Sequence, residues 1–348
     1  MIDPHVHCRD WNQSHKETIK HALYVAEKAG LSAIFDMPNT DPAIISRELV
    51  EKRLDDARKC NSKVFYGLYI GITADKAQIR EAVEAWKEYF PHNYSNAGVI
   101  GMKMFAGKSV GNLGIINEDE QKLVYKTLAE QKYSGVLAVH CEKESLMKPE
   151  LFNPENPRTH SFARPPESEI ESIEDQIKFA EEAGFEGTLH ICHVSCPESV
   201  ELIEKAREKM NITCAVTPHH CALNYEQIPE SKEGLIYKVN PPLRNTARVN
   251  KMYGLLGAGK IDFIESDHAP HTLKEKLEDK ISGFPGMPFY PHFIEELYDF
   301  YELSEQQIHE LVHTNIESIF NIKIPSLDIK QPDFNLEKEY EFDVYTLK

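Results

Sequence analysis

The chain has 348 residues, with 39 Lys and Arg against 56 Asp and Glu, giving a formal net charge of −17. That balance argues against nucleic acid or an anionic membrane as the main partner, since either calls for a basic surface. No apolar run reaches the roughly eighteen residues of a membrane span, and the basic-then-apolar pattern of a secretory signal is lacking.

Short apolar runs alternate with longer amphipathic stretches. Strand-like runs are MIDPHVH (1–7), LSAIFDM (31–37), KVFYGLYIG (63–71), GVIGMKMFA (98–106), GVLAVHC (135–141), GTLHICHV (187–194), ITCAVTP (212–218) and IDFIESD (261–267). Between the first two, HKETIKHALYVAEKAG predicts a helix with Ile19, Leu23 and Ala26 on one face and a stop at Gly30. CPESVELIEKAREKM has the same period. Eight strands alternating with helices predict an α/β chain folded as a (β/α)8 TIM barrel. The loop GFPGMPFYP (283–291) follows the last strand, and a helical region runs from there to Phe320. The expected division is a catalytic barrel over residues 1–320 and an appendage over 321–348, packed on the barrel and ending in strand-like YEFDVYTL. Seven cysteines, an odd number without a CxxC pair, predict small buried hydrophobes in a reduced, cytoplasmic compartment.

In such barrels the active site lies at the C-terminal ends of the strands. Those ends carry His5 and His7, Asn39, Lys103, His140, His193, and Asp267 with His271 just beyond. Residues two apart in a strand point to the same side, so His5 and His7 can reach one metal ion. Asp267 would complete that site from the opposite side of the barrel, and His140 and His193 would hold a second ion. Lys103 either pairs with a carboxylate or, as a free amine, takes up carbon dioxide and bridges the two ions as a carbamate. His219 and His220 read as structural or as supports behind the ligands, and His190, three before His193, as pointing into the helix layer. The glycine-rich loop GKSVGNLG (107–114) is a candidate lid over the substrate.

The blocks DPHVHCRD, MPNTDP, GMKMFAGKSVGN, AVHCEKES, LHICHVS, VTPHH, NPPLR, DHAPHT and GFPGM together resemble the dihydroorotases of the amidohydrolase superfamily, over about residues 2–320. The resemblance implies two zinc ions: a buried one on His5, His7 and Asp267, and an exposed one on His140 and His193, bridged by N6-carboxylated Lys103. It implies that Asp267 carries the catalytic proton, that Arg9, Asn39 and His271 hold the substrate carboxylate, and that Asn240 lines the pyrimidine ring. The reaction implied is the reversible interconversion of N-carbamoyl-L-aspartate and L-dihydroorotate in pyrimidine synthesis. The partners are then the small-molecule substrate, with a homodimer and an association with aspartate transcarbamoylase as further family possibilities. Two departures stand out. Only two residues precede Asp3, so the small β-sandwich of the family is expected to be absent or much reduced, and CRDW stands where REPG is common. The rivals are a hydantoinase or allantoinase with the same metals, and a non-catalytic partner of aspartate transcarbamoylase. Arg9, Asn39 and His271 argue against the first, and the complete ligand set against the second.

Overall fold

The computed structural model describes residues 1–91, 96–109, 111–324, 327 and 332–345. Eight strands, β1 (Ile2–Val6), β2 (Ala33–Asp36), β3 (Phe65–Gly71), β4 (Ala97–Ala106), β5 (Val136–Cys141), β6 (Thr188–Ile191), β7 (Ile212–Val216) and β8 (Phe263–Ile264), lie in sequence order. Each pairs in parallel with the next. A parallel bridge between Val6 and His268 joins the last strand's extension to the first, and the His7 N–H donates to the His268 carbonyl at 2.7 Å. The barrel is therefore closed, and β8 is the immediate neighbour of β1. Asp267 reaches the mouth from beside His5 and His7, not from across the barrel as the sequence reading had it.

Two packing layers follow from strand alternation. Outward residues such as Val6, Ile34, Leu68, Val99, Met102, Leu137, Leu189 and Val216 join the helices in one apolar cluster. Inward residues Ile2, Ala33, Phe35, Tyr69, Ile100, Ala138, Ala215 and Phe263 form a second, floored by Ile316, Phe320, Ile322 and Ile324. The floor closes the bottom of the barrel, so the polar side chains are left at the top.

The alternation is interrupted where the chemistry lies. In β4, Val99 and Lys103 have the same parity, yet Val99 packs outward. A register shift opposite Leu68 and Tyr69 adds a residue, and beyond it Met102 and Met104 face the helices while Lys103 turns inward. β1 carries a similar shift between Asp3 and Val6, which lets Ile2 and His5 both face inward.

The first helix, Ile19–Lys28, is capped by the Thr18 hydroxyl, which accepts from the His21 N–H. Its Ile19, Leu23 and Ala26 are buried, and Gly30 turns the chain at φ +84°. Behind the loop that follows His7, Asp36 accepts hydrogen bonds from the Cys8 N–H (2.8 Å), from Arg53 Nη2 (2.6 Å) and from the Tyr66 hydroxyl. This fully buried cluster pins the start of the Arg9 loop to β2.

The described part of YEFDVYTL, residues 340–345, does not form the strand read from it. Among the described residues 340–345 there is no strand, and the barrel is the only sheet. The rest of that stretch lies outside the described residues. Instead the Tyr340 hydroxyl donates to Glu17 at 2.9 Å, and Val344 packs with Leu223, Leu243 and Phe284. These single contacts anchor the segment without a ladder.

Candidate active site

Three of the candidate residues have left-handed backbones: Arg9 (φ 49°), His193 (φ 37°) and Asp267 (φ 47°). Non-glycine residues adopt this conformation rarely, and at a cost. Its effect on β6 is specific. Leu189 and Ile191 face outward, so His190 and Cys192 face inward, and the kink at His193 turns the next side chain inward as well. His190 is thus a barrel-interior residue, not one in the helix layer. Its ring stacks on Phe263 at 4.6 Å, and its Nδ1 lies 3.0 Å from the Thr213 hydroxyl.

The candidate ligand atoms meet in two groups. His5 Nε2 and His7 Nε2 lie 3.4 and 3.1 Å from the same oxygen, Asp267 Oδ1. His140 Nδ1 lies 3.1 Å from His193 Nε2. The His5 and His193 rings, one from each group, are 5.2 Å apart. The outer ring nitrogens of three of these histidines face oxygens: His5 Nδ1 faces Glu265 at 3.2 Å, His7 Nδ1 faces Asn39 Oδ1 at 2.7 Å, and His140 Nε2 faces Glu142 at 3.0 Å. In the tautomer that puts the proton on the outer nitrogen, such a contact leaves the inner one its lone pair for a metal ion.

Lys103 is fully buried. Its Nζ lies 3.0 Å from Cys192 Sγ and 5.0 Å from the centre of the Phe105 ring. Among the described residues it forms no ion pair with a carboxylate, so the first of the two alternatives for Lys103 is not realised. Cys192 is buried in the inner core cluster, as expected for the cysteines, but its thiol has polar neighbours. These are the amine and the imidazoles of the interior.

Burial drives the His7 pKa down to about 4, and burial with His140 and His5 nearby holds His193 well below its ordinary value. Both rings are therefore neutral near pH 7, the form that binds metal. Burial works against ionisation of Asp267, but the hydrogen bond to His7 and the charge at His5 outweigh it and hold the carboxyl below the usual range. Burial and Lys103 depress His5, yet Glu265 and Cys192 outweigh them and raise it to about 10. Glu265 and Cys192 are thus the groups that favour a cation at His5.

The cavity above these groups is walled by Arg9, Asn39, Phe105, Ser109, Asn240 and Ser282 together with the imidazoles and Asp267. Arg9 is buried, and burial lowers its pKa only to about 10, so it stays charged. Its Nη2 lies 3.1 Å from His271 Nε2, and its Nε–H donates to the Pro270 carbonyl. His271 backs the guanidinium and does not itself line the cavity. Asn240 Oδ1 accepts from His160 Nε2 at 2.9 Å and from the Ser282 hydroxyl at 3.1 Å. His220 bonds to Thr217 and to the Pro241 carbonyl, whereas His219, fully buried against Phe284, has no hydrogen-bond partner at either nitrogen among the described residues.

The loop over residues 107–114 meets this cavity through Ser109, while Val110 lies outside the described residues. Gly107 has φ +136°, and a side chain there would lie 2.0 Å from the Glu142 carbonyl oxygen, so only glycine permits this approach.

Two carboxylates were missed by the sequence reading. Glu142 is fully buried between His140 and Arg164, and Glu265 is fully buried between His5 and His190. Both were within reach of the period-two argument. Glu142 stands two after His140, and Glu265 two before Asp267, so each faces inward with its neighbour.

No family model matches the chain. Curated relatives do. The dihydroorotase of Methanosphaera stadtmanae is 30% identical over 332 residues, covering 92% of this chain and 70% of its own. The dihydroorotase of Brevibacillus brevis is 30% identical over 363 residues, covering 99% and 80%. Among solved structures, the L-hydantoinase (dihydropyrimidinase) of Arthrobacter aurescens superposes with a TM-score of 0.80 at 21% identity, over 95% of this chain and 73% of that one, a likeness of fold alone. The relatives' identity, the closed barrel and the convergence of histidines with Asp267 at its mouth lead to one assignment: the chain belongs to the dihydroorotase family of the amidohydrolase superfamily, metal-dependent hydrolases of cyclic amides.

Proposed function

We propose that this chain interconverts L-dihydroorotate and N-carbamoyl-L-aspartate, consuming water in the hydrolytic direction, as a step of pyrimidine (UMP) synthesis. The observation that carries the choice of substrate is Arg9, a buried, charged guanidinium in the cavity wall beside Asn39 and Asp267. Its planar fork suits a carboxylate held through two parallel hydrogen bonds. Dihydroorotate carries a carboxylate, and hydantoin and allantoin do not.

The donor set fits two borderline divalent cations. Imidazoles whose outer nitrogens face oxygens, one shared carboxylate oxygen and the buried Glu265 carboxylate behind His5 are the features of a zinc site. In this reading His5, His7 and Asp267 would hold one zinc ion, His140 and His193 the other, and Lys103 both. For the last role the Lys103 amine adds to carbon dioxide and sheds a proton, giving the carbamate. When bound, such ions supply water of lowered pKa and polarise an amide carbonyl.

The protein's own groups do the rest. Asp267 takes a proton from the attacking water and passes it to the departing ring nitrogen, base first and acid second. Arg9 and Asn39 fix the substrate carboxylate, with His271 steadying the guanidinium from behind. Asn240, held by His160 and Ser282, presents its amide to the ring. Phe105 and Val239 supply apolar wall.

The same reading takes residues 1–320 as the catalytic unit and 321–348 as an appendage. It places the chain in a reduced cytoplasm, which the seven unpaired cysteines support. Homodimerisation and association with aspartate transcarbamoylase are extensions of the family reading. The test is a side-by-side assay of zinc-loaded protein on dihydroorotate, hydantoin and allantoin. Dihydroorotate should be turned over with by far the highest kcat/KM, and preference for either neutral ring would overturn the assignment.

A further inference from the structure

Below the mouth, the barrel interior holds a second set of metal-ligating side chains, none of which is among the ligands proposed above. His190, Cys192 and Glu265 offer a ring nitrogen, a thiol and a carboxylate oxygen, all within 4.8 Å of one another and all buried. We infer that these three residues form a separate, structural site for a thiophilic divalent cation such as zinc.

The engagement of each group supports this. His190 Nδ1 is taken by the Thr213 hydroxyl, which leaves Nε2 facing inward, and that buried nitrogen has no hydrogen-bond partner among the described residues. Glu265 divides its oxygens. Oε1 accepts the His193 N–H at 2.6 Å and faces His5 Nδ1 at 3.2 Å, so Oε2 is left for His190, 3.5 Å from its Nε2. That spacing is long for a hydrogen bond, but two such ligands on a tetrahedral zinc ion lie about 3.4 Å apart. The Cys192 thiol completes a face of the tetrahedron and would shed its proton to solvent on binding. A thiolate and a carboxylate balance the charge of one dication in this buried space. The fourth position is open to a water molecule.

The competing arrangement is also defined. Cys192 Sγ lies 3.0 Å from Lys103 Nζ, and Glu265 could serve solely to orient His5. In that case no metal binds here, and the thiol is a partner of the lysine.

The inference does not rest on the reading of the mouth, and its test separates the two. The full chain is loaded with cobalt(II), and metal content and near-ultraviolet absorption are measured. The ligands proposed at the mouth are nitrogen and oxygen only, so a thiolate-to-cobalt charge-transfer band that is lost in Cys192→Ser reports Cys192. The expected result is that band in the unmodified protein, together with one equivalent of metal beyond the pair at the mouth. Cys192→Ser, His190→Asn and Glu265→Gln should each abolish the band and the extra equivalent. Absence of the band in unmodified, metal-replete protein would overturn the inference, and it needs no variant that might misfold. Loss of the band in Cys192→Ser with retention in both His190→Asn and Glu265→Gln would overturn it too, by assigning the thiolate to an ion at the mouth.

Discussion

His140 Nδ1 stands 3.1 Å from His193 Nε2, although 53 positions separate the two residues in the chain. The relationship follows from Glu142. This carboxylate is held ionised by Arg164 and His140 against the opposing effect of burial, and it faces His140 Nε2 at 3.0 Å. It therefore keeps the proton on Nε2 and the lone pair on Nδ1. Arg164 also donates to the Lys108 carbonyl, so the same guanidinium ties the cavity-lining loop to this histidine.

Glu142→Gln weakens that grip while keeping its shape. The expected outcome is metal affinity lowered about 10–100-fold at the ion held by His140 and His193, the usual scale for loss of a carboxylate behind a ligating histidine. Competitive chelator titration reads this directly, and unchanged affinity would remove Glu142 from the account.

Asp267→Asn keeps a ligand-sized side chain but loses the proton carrier. Turnover of dihydroorotate should fall roughly 10²–10⁴-fold. Steady-state kinetics on metal-replete protein decides it, with metal content measured alongside so that ligand loss is not mistaken for loss of the base.

Arg9→Lys replaces a fork with a point charge. KM for dihydroorotate should rise by about tenfold or more while kcat changes little, because the lost contact holds substrate and transition state alike. Equal kinetics in the two proteins would place the substrate carboxylate elsewhere.

How much of this was legible beforehand depends on strand parity. The eight strands and the residues at their ends could be read from apolar runs, because a parallel barrel buries both faces of each strand. His5 and His7 followed from spacing alone. The inward turn of Lys103 depends on the extra residue in β4, and that of His193 on a left-handed backbone. Neither is visible in a periodicity, which is why His190 was assigned to the wrong side. The tail was misread because YEFDVYTL has the alternation of a strand, but among the described residues no neighbouring edge is open to pair with it.

The barrel floor gives a stability test. A methyl group added at Gly67 would lie 2.5 Å from Phe35 Cδ1, and that ring is wedged against Phe65 and Phe320. Gly67→Ala should destabilise the chain by about 1–3 kcal/mol through overpacking. Denaturant unfolding measures it.

Away from the metals, Glu17 and His21 form a pH-dependent clamp between the first helix and the tail. The hydrogen bond to Glu17 raises His21 against the opposing effect of burial. Burial opposes ionisation of Glu17, but its bonds from His21 and His268 lower it to about 2. A raised histidine stabilises fully below its unfolded pKa of about 6.5 and loses that contribution as pH rises through its folded value. A depressed carboxylate stabilises above about pH 4.5 and loses its contribution as pH falls towards 2. The difference in Tm between unmodified protein and His21→Ala should be greatest near pH 5–6 and shrink in both directions. A difference independent of pH would show that the pair contributes packing only.

The most direct measurement is anomalous diffraction at the zinc edge from crystals grown with zinc. The account predicts two peaks in the mouth, one among His5, His7 and Asp267 and the other between His140 and His193, with carbamate density extending from Lys103 towards both. A mouth without anomalous signal, its imidazoles bonded only to one another, would contradict it.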